Sequence, residues 1–202
     1  MHCCARCALP LALPAALCGE CLKREPPFDA AFAPYVYGHP LDHLLTQLKF
    51  GRSLAAGRVI AELWIDALRQ ALARGIVTAL PALVIPVPLH AQRLRERGYN
   101  QAHELARPLA RAFGLAFAPD LLVRTRATAA QAELDAKTRR KNLRGAFALR
   151  LPAGQPGPPA SAILLDDVMT TGATLAECAR VLKRAGVSRI DVWAFARAPR
   201  LR

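Results

Sequence analysis

The chain has 202 residues, 53% of them apolar and 21% charged, which suits one main domain with a small appendage and excludes a globally disordered protein. Its formal net charge is +13, which favours a polyanionic partner such as a phosphorylated metabolite, DNA or RNA. Only five of its 28 basic residues are Lys, so an Arg-rich coding bias explains the charge equally well.

Apolar stretches of the chain do not indicate export or membrane insertion. The longest, residues 76–89, has 14 residues and three prolines, whereas a membrane-spanning helix needs about 20 apolar residues. An N-terminal apolar stretch is interrupted by Pro10 and Pro14, and Leu17 is too large to precede a lipoprotein-type cleavage at Cys18. We therefore expect a cytoplasmic protein.

Two CxxC pairs separated by ten residues lie near the N-terminus: Cys4, Cys7, Cys18 and Cys21. Such pairs form two thiolate knuckles whose sulfur atoms can surround a zinc ion at about 2.3 Å. Four thiolates would close the site, so the zinc would be structural and would supply folding energy. Disulfides or a redox CxxC are the alternatives, but neither an oxidising compartment nor a surrounding βαβ unit is indicated. Cys3 could replace Cys4, at CxxxC spacing.

The chain is predicted to divide at Pro26-Pro27 into a zinc-binding module, residues 1–25, and a larger domain, residues 26–202. Hydrophobic periodicity in the larger domain predicts strands that alternate with helices, and hence an α/β fold with a parallel sheet flanked by helices. In chain order the elements are a strand at 33–37, helices at 41–50 and 55–73, a strand at 83–87, a helix at 100–113, strands at 121–124, 147–149 and 163–165, a helix at 175–185 and a strand at 190–196.

Two parts of this pattern are less regular. Pro108 should kink or split the helix at 100–113, because an interior proline costs roughly 3 kcal/mol. Residues 126–145 are polar and basic, which predicts a mobile loop or hairpin, and residues 153–160 form a connection rich in Pro and Gly.

The most specific feature is the segment 163–174, where a buried strand ends in Asp166 and Asp167 and a Thr- and Gly-rich turn leads into a helix. Ligands of open α/β sheets bind beyond the carboxyl ends of strands, and carboxylates accept hydrogen bonds from ribose hydroxyls. The turn can direct its N–H groups at a phosphate, helped by the helix N-terminus. Its residues are Thr170, Thr171, Gly172, Ala173 and Thr174.

The alternative for this turn is ordinary helix capping. Thr174 and Glu177 have capping-box spacing, so Thr174 would cap the helix instead of contacting a ligand. Capping does not explain two adjacent acids before the turn.

A second candidate anion site follows the strand at 83–87. Pro86 and Pro88 fix the backbone of the next loop, and Arg93 and Arg97 would share one face of a helix, from which they could fork toward an anion. Gly98 allows close approach. A solvated basic helix start is the alternative.

These segments resemble known proteins over nearly the whole chain. Segment 163–174 is similar to the phosphoribosyl pyrophosphate (PRPP) loop of type I phosphoribosyltransferases. The proline-rich strand followed by Arg97-Gly-Tyr-Asn-Gln101 resembles the signature of the competence protein F (ComF) family, as do 48–50, which reads Leu-Lys-Phe, and the stretch 122–147.

This resemblance implies a phosphoribosyltransferase-type fold that binds PRPP with Mg²⁺. Asp166 and Asp167 would be catalytic and hold the ribose hydroxyls, and residues 170–174 would hold the 5-phosphate. The pyrophosphate-binding residues would be Pro88, Leu89, His90, Arg93, Arg97, Gly98 and Lys141, with Arg139 or Arg140 as further leaving-group contacts.

The resemblance also implies a role in natural competence or in the use of external DNA. In one alternative the protein is a phosphoribosyltransferase whose acceptor the sequence does not identify. In the other it is a non-catalytic accessory protein that senses PRPP or binds single-stranded DNA beside a competence DNA helicase. Its 6% of aromatic residues are sparse for a dedicated base-stacking platform.

Overall fold

The computed structural model describes residues 2–127, 142–151 and 157–199. Its strands are β1 (His2–Cys3), β2 (Pro10–Leu11), β3 (Ala30–Phe32), β4 (Tyr35–Val36), β5 (Leu83–Pro86), β6 (Ala116–Phe117), β7 (Leu122–Arg124), β8 (Phe147–Leu149), β9 (Ser161–Met169) and β10 (Arg189–Arg197). Its helices are α1 (Gly19–Lys23), α2 (Leu41–Lys49), α3 (Leu54–Ala73), α4 (Ala91–Arg97), α5 (Gln101–Ala112) and α6 (Ala173–Arg184).

Six strands form a central sheet in the order β3-β10-β9-β5-β6, with β4 also beside β10. All of its pairings are parallel, which confirms the predicted α/β class. The longest pairing joins β9 to β10, from Ser161 opposite Arg189 to Met169 opposite Arg197. Two short antiparallel pairs, β1 with β2 and β7 with β8, lie outside this sheet.

Helices flank the sheet and bury its apolar strands. Residues 162–165 of β9 are fully buried, as expected for a strand covered on both faces. Helix α5 packs on β5 and β9, and α3 packs on α5. Trp64 of α3 contacts Phe195 of β10, with ring centroids 5.9 Å apart. No helix in the described part of the chain has the length and apolar character of a membrane span.

Three predictions about these elements are wrong in detail. The strand predicted at 33–37 contains only β4, and an unpredicted strand, β3, precedes it. Both strands keep one register against β10, and Pro34 between them has no N–H to donate to the sheet. The strand predicted at 163–165 continues to Met169, because β10 pairs with it over that whole length. Pro108 neither ends nor divides α5, which runs from Gln101 to Ala112. The loop prediction for 126–145 and the connection at 153–160 lie partly outside the described residues.

We expect Pro108→Ala to stabilise the protein. The substitution restores an N–H donor within α5 and removes the clash of the proline ring with the preceding turn. The free energy of unfolding should rise by about 1–3 kcal/mol. Part of this gain is offset because alanine leaves the unfolded chain more conformational entropy than proline does. Urea denaturation would measure the change, with the exposed neighbour Arg107→Ala as a control. A less stable Pro108→Ala protein would contradict this account.

Candidate anion-binding pocket and metal centre

A cavity of about 330 Å³ opens beyond the carboxyl ends of β5 and β9. This is the edge at which parallel α/β sheets bind ligands. Its walls are polar and carry both signs of charge. The charged lining residues are Lys49, Arg93, Arg124, Asp166 and Asp167, and the turn at 170–174 closes one side.

Asp166 and Asp167 lie inside β9 and not beyond its end, so their side chains have different surroundings. Asp167 is only 3% exposed and its Oδ2 lies 2.7 Å from the Lys49 Nζ. Asp166 is partly exposed, and its Oδ1 accepts a hydrogen bond of 2.9 Å from the Asp167 N–H. Burial raises the pKa of the Asp166 carboxyl well above its usual range, and the neighbouring charge of Asp167 raises it further.

Lys49, the last residue of α2, supplies the positive charge beside this acid pair. Burial alone would lower the pKa of its ammonium group, but the adjacent Asp167 carboxylate outweighs burial and raises that pKa. Sequence reasoning gave Lys49 no role in the site, because it lies far from the acids along the chain. The only indication of a role for Lys49 was that the Leu-Lys-Phe sequence at 48–50 resembles a family feature.

The turn after β9 has the backbone geometry of a tight helix start. Gly172 has φ +74° and is the N-cap of α6, and a Cβ added there would lie 2.6 Å from the Met169 Cε. Glycine therefore suits this position, because it adopts a positive φ without strain and has no Cβ to clash with Met169. The Thr171 Oγ1 accepts from the Ala173 N–H at 3.3 Å.

The capping-box alternative for Thr174 is wrong, because α6 already begins at Ala173. Glu177 instead accepts a hydrogen bond of 3.0 Å from the Gly145 N–H and pairs with Arg180 at 2.6 Å.

The second predicted segment reaches the pocket only in part. Pro88, Leu89 and Arg93 line the cavity. Arg97 donates to the Gln101 Oε1 and lies over the Phe50 ring, with its guanidinium carbon 5.6 Å from the centroid.

His90 and Gly98 shape the short helix that carries Arg93. The His90 Nδ1 accepts from the Gln92 N–H at the N-terminus of α4, and Gly98, with φ +88°, ends that helix. Lys141, Arg139 and Arg140 lie outside the described residues.

Arg124 of β7 is a further pocket residue, which was not predicted from the sequence. Its guanidinium carbon lies 5.4 Å from the centroid of the Phe147 ring on the paired strand β8. Burial lowers the pKa of Arg124, and the nearby charge of Arg93 lowers it further. Only the fold brings Arg93 and Arg124 together, from two different elements.

The four cysteines of the two CxxC pairs converge on one point. Their sulfur atoms all lie within 4.8 Å of one another, and the sulfurs of Cys7 and Cys18 are 3.6 Å apart. A zinc tetrahedron with bonds of about 2.3 Å has corners about 3.8 Å apart, so the arrangement could hold a metal such as zinc. Cys4 is buried within the cluster, whereas Cys3 is exposed and outside it.

The local structure shifts the pKa values of these thiols in opposite directions. Burial alone would raise the pKa of Cys4, but backbone N–H groups of Cys18, Cys7 and Arg6 outweigh burial and lower the pKa to about 7. Burial raises the pKa of Cys21, and the neighbouring cysteines raise it further. Bringing four thiolates together without a cation is therefore unfavourable, and a divalent metal would remove that penalty.

The fold and its sites define an α/β protein with a charged pocket at the carboxyl edge of a parallel sheet and a four-cysteine cluster. No protein-family model matches the chain. It is 38% identical over 194 residues to DNA utilization protein YhgH of Salmonella typhimurium, an alignment that covers 96% of this chain and 83% of the relative. It is also 38% identical over 195 residues to Competence protein F of Haemophilus influenzae, covering 96% and 84%. The chain belongs to the competence protein F family.

We expect Asp166→Asn to stabilise the protein at neutral pH. The raised pKa means that ionised Asp166 costs stability, and this cost disappears as the pH falls through the folded-state pKa toward the ordinary Asp value. Asn keeps the acceptor for the Asp167 N–H. The gain should be about 1 kcal/mol at pH 7 and close to zero at pH 4.

Thermal unfolding at both pH values would measure this difference. Asp66→Asn, on the exposed face of α3, is the matched control and should show no gain. Equal stability of wild type and Asp166→Asn at pH 7 would contradict the account of the acid pair.

Proposed function

We propose that the chain binds PRPP together with Mg²⁺ in the pocket at the carboxyl edge of the sheet. The observation that carries this proposal is the set of groups around one cavity: a carboxylate pair, a Thr–Gly turn at a helix N-terminus, and the cations Lys49, Arg93 and Arg124. PRPP carries a diol, a monophosphate and a pyrophosphate, and each finds a complementary group here.

Each part of the ligand would contact a different wall. The turn at 170–174 would hold the 5-phosphate with its N–H groups and threonine hydroxyls. Arg93, on the loop and helix after β5, would contact the pyrophosphate, and Arg124 would add a second guanidinium. His90, Arg97 and Gly98 would support this wall by fixing α4, because their own partners lie within the protein.

The ribose hydroxyls would meet the acid pair. Asp166 is the more accessible carboxylate, whereas Asp167 is already paired with Lys49. Mg²⁺ prefers oxygen ligands and is commonly held by one or two carboxylates plus substrate phosphates, so Asp166 and the pyrophosphate oxygens suit it. When bound, it would neutralise charge on the leaving group.

Two outcomes of PRPP binding remain candidates, transfer to an acceptor and non-catalytic sensing. Transfer would rely on positioning and on electrostatic stabilisation of the pyrophosphate by the pocket cations. Sensing is favoured by one observation: among the described residues that line the cavity, the only acids are the two expected to bind ribose, and there is no histidine. An acceptor would then have to react without a separate carboxylate or histidine base from these residues.

We further propose a role in the uptake or use of external DNA. Its support is the names of the relatives, DNA utilization protein and Competence protein F, each matched over 96% of this chain. The net charge of +13 suits single-stranded DNA, and a competence DNA helicase is the partner that such a role suggests.

The N-terminal part would serve this fold as a structural module. We propose that residues 1–25 bind one zinc ion through the four clustered cysteines, and that residues 26–202 form the PRPP-binding domain. Four thiolate ligands leave no open position on the metal, which suits a structural role and not a catalytic one.

The PRPP proposal predicts that the pocket cations and acids determine affinity. Calorimetric titration with PRPP and Mg²⁺ should show binding to the wild type, and Arg93→Gln should weaken it by at least about tenfold, as expected for loss of a charged hydrogen bond. The double variant Asp166→Asn/Asp167→Asn should abolish detectable binding, and its thermal unfolding would show that it is folded although Lys49 has lost its partner. Arg95→Gln, on the exposed part of the same helix, is the matched control.

Binding that persists in the double variant would place the ligand elsewhere, and no binding to the wild type would overturn the proposal. If PRPP binds, release of pyrophosphate in the presence of candidate acceptors would distinguish transfer from sensing.

The zinc proposal predicts one equivalent of zinc per chain. Cys4→Ser should lose the metal and lower the melting temperature, because three thiolates and a hydroxyl hold zinc poorly. Cys3→Ser is the matched control and should keep both the metal and the melting temperature. Elemental analysis and thermal unfolding would measure both quantities. Loss of zinc from Cys3→Ser but not from Cys4→Ser would reverse the ligand assignment.

A further inference from the structure

One buried arginine joins the cysteine cluster to the turn of the pocket. Arg197, the last residue of β10, is only 5% exposed. Its Nε donates to the carbonyl oxygen of Cys7 at 3.1 Å. Its Nη1 donates to the carbonyl oxygens of Met169 at 2.8 Å and of Thr170. A single guanidinium group therefore contacts a metal-ligand residue and the first residues of the turn.

The contacts of Arg197 fix the direction of the turn's N–H groups. In a trans peptide the carbonyl and the N–H of the same unit point in opposite directions. The carbonyls of Met169 and Thr170 both face Arg197, so the N–H groups of Thr170 and Thr171 face away from it. Both threonines line the pocket, and the turn forms one of its walls. The N–H groups that would donate hydrogen bonds to a phosphate therefore depend on this orientation.

The cysteine module lies directly behind this turn. A second cavity, of about 120 Å³, separates the two, and its walls include Cys7 and Cys21 on one side and Thr171 and Gly172 on the other. Arg197 lines the same cavity. The module and the pocket therefore share the turn as a common boundary, with Arg197 bonded to both.

We propose that Arg197 is a positioning residue that couples the metal state of the cysteine cluster to the phosphate-binding geometry of the turn. A bound metal fixes the backbone of the knuckle at Cys7, and so fixes the carbonyl to which the Arg197 Nε donates. Loss of the metal would free that carbonyl, so the bonds of the guanidinium to Met169, Thr170 and Ala198 would no longer tie the turn to a fixed backbone. The effect on PRPP rests on the proposed function, whereas the effect on the turn itself does not.

Arginine suits this role better than lysine. Its planar fork carries several N–H donors in fixed directions, so one end can bond the module while the other bonds the turn. An ammonium group at the end of a flexible chain could reach one of these carbonyls but could not hold both sides at a fixed spacing.

Hydrogen–deuterium exchange would test the coupling without any ligand. The amides of Ala173, Ala176 and Ala198 donate to acceptors on Thr171, Gly172 and Met169 and therefore report on the turn. They should exchange on the order of tenfold faster in Arg197→Met and in wild type stripped of metal by a chelator. Arg197→Lys should be intermediate. Arg189→Met, at the other end of β10 and paired with Asp191, is the matched control and should leave the turn unchanged. Amides of β5 should stay protected in every sample that remains folded.

Titration with PRPP and Mg²⁺ would then test the consequence for binding. Arg197→Met and the metal-stripped protein should both bind about tenfold more weakly than loaded wild type, within the usual range for coupled sites. Coupling is reciprocal, so saturating PRPP should tighten zinc binding to the wild type by the same factor, and this increase should vanish in Arg197→Met.

These outcomes separate the two proposals. Faster exchange of the amides of Ala173, Ala176 and Ala198 with no PRPP binding to wild type would overturn the proposed function and support the coupling. Unchanged exchange in a folded Arg197→Met, or in metal-stripped wild type, would overturn the coupling whatever PRPP does. If neither Arg197 variant folds, the comparison of loaded with metal-stripped wild type decides alone.

Discussion

The parallel pairing of β9 with β10 positions the two acids, the turn that follows them and the buried Arg197. It extends from Ser161 opposite Arg189 to Met169 opposite Arg197, in the middle of the sheet. Because β10 supports β9 along this whole length, both acids are held inside a rigid strand and the turn begins at a defined point. The same pairing brings Arg197 beside the turn. Strain that displaced either strand would therefore move the acids, the turn and the buried arginine together.

The charges at the pocket are determined by the position of Asp166 and Asp167 within β9. Adjacent residues of a strand point to opposite faces, so the two acids could not share one environment. Asp167 is buried and needs the Lys49 ammonium, because removing one partner of a buried pair is strongly destabilising. Asp166 keeps partial exposure but has a raised pKa. Ionisation of Asp166 is therefore unfavourable unless a cation or a hydrogen-bond donor reaches its carboxyl group.

The α/β fold, the clustering of the four cysteines and the strand–turn–helix order of segment 163–174 could be predicted from the sequence. Each of these features is determined by residues that lie close together in the chain. Composition could not predict that Lys49 pairs with Asp167, or that Arg124 joins Arg93, since these contacts arise only when distant elements pack. Arg97 and His90 were expected at a ligand, but their nearest partners are Gln101 and the Gln92 N–H. The structural effect of each proline also depends on its surroundings. Pro34 separates β3 from β4, whereas Pro108 is tolerated within α5, which packs on the sheet.

The cysteine module contacts the turn of the pocket, so its position affects more than its own folding. A segment that cannot bury a core of its own would depend on a bound metal for a fixed shape. This segment also contributes its cysteines to the same apolar cluster as β9 and β10. The Arg197 guanidinium is enclosed where module and turn meet, so its hydrogen bonds have little competition from water and hold both backbones firmly. A metal site placed elsewhere on the surface would stabilise only itself. Behind the turn, a bound metal would also restrict the backbone that forms one wall of the pocket.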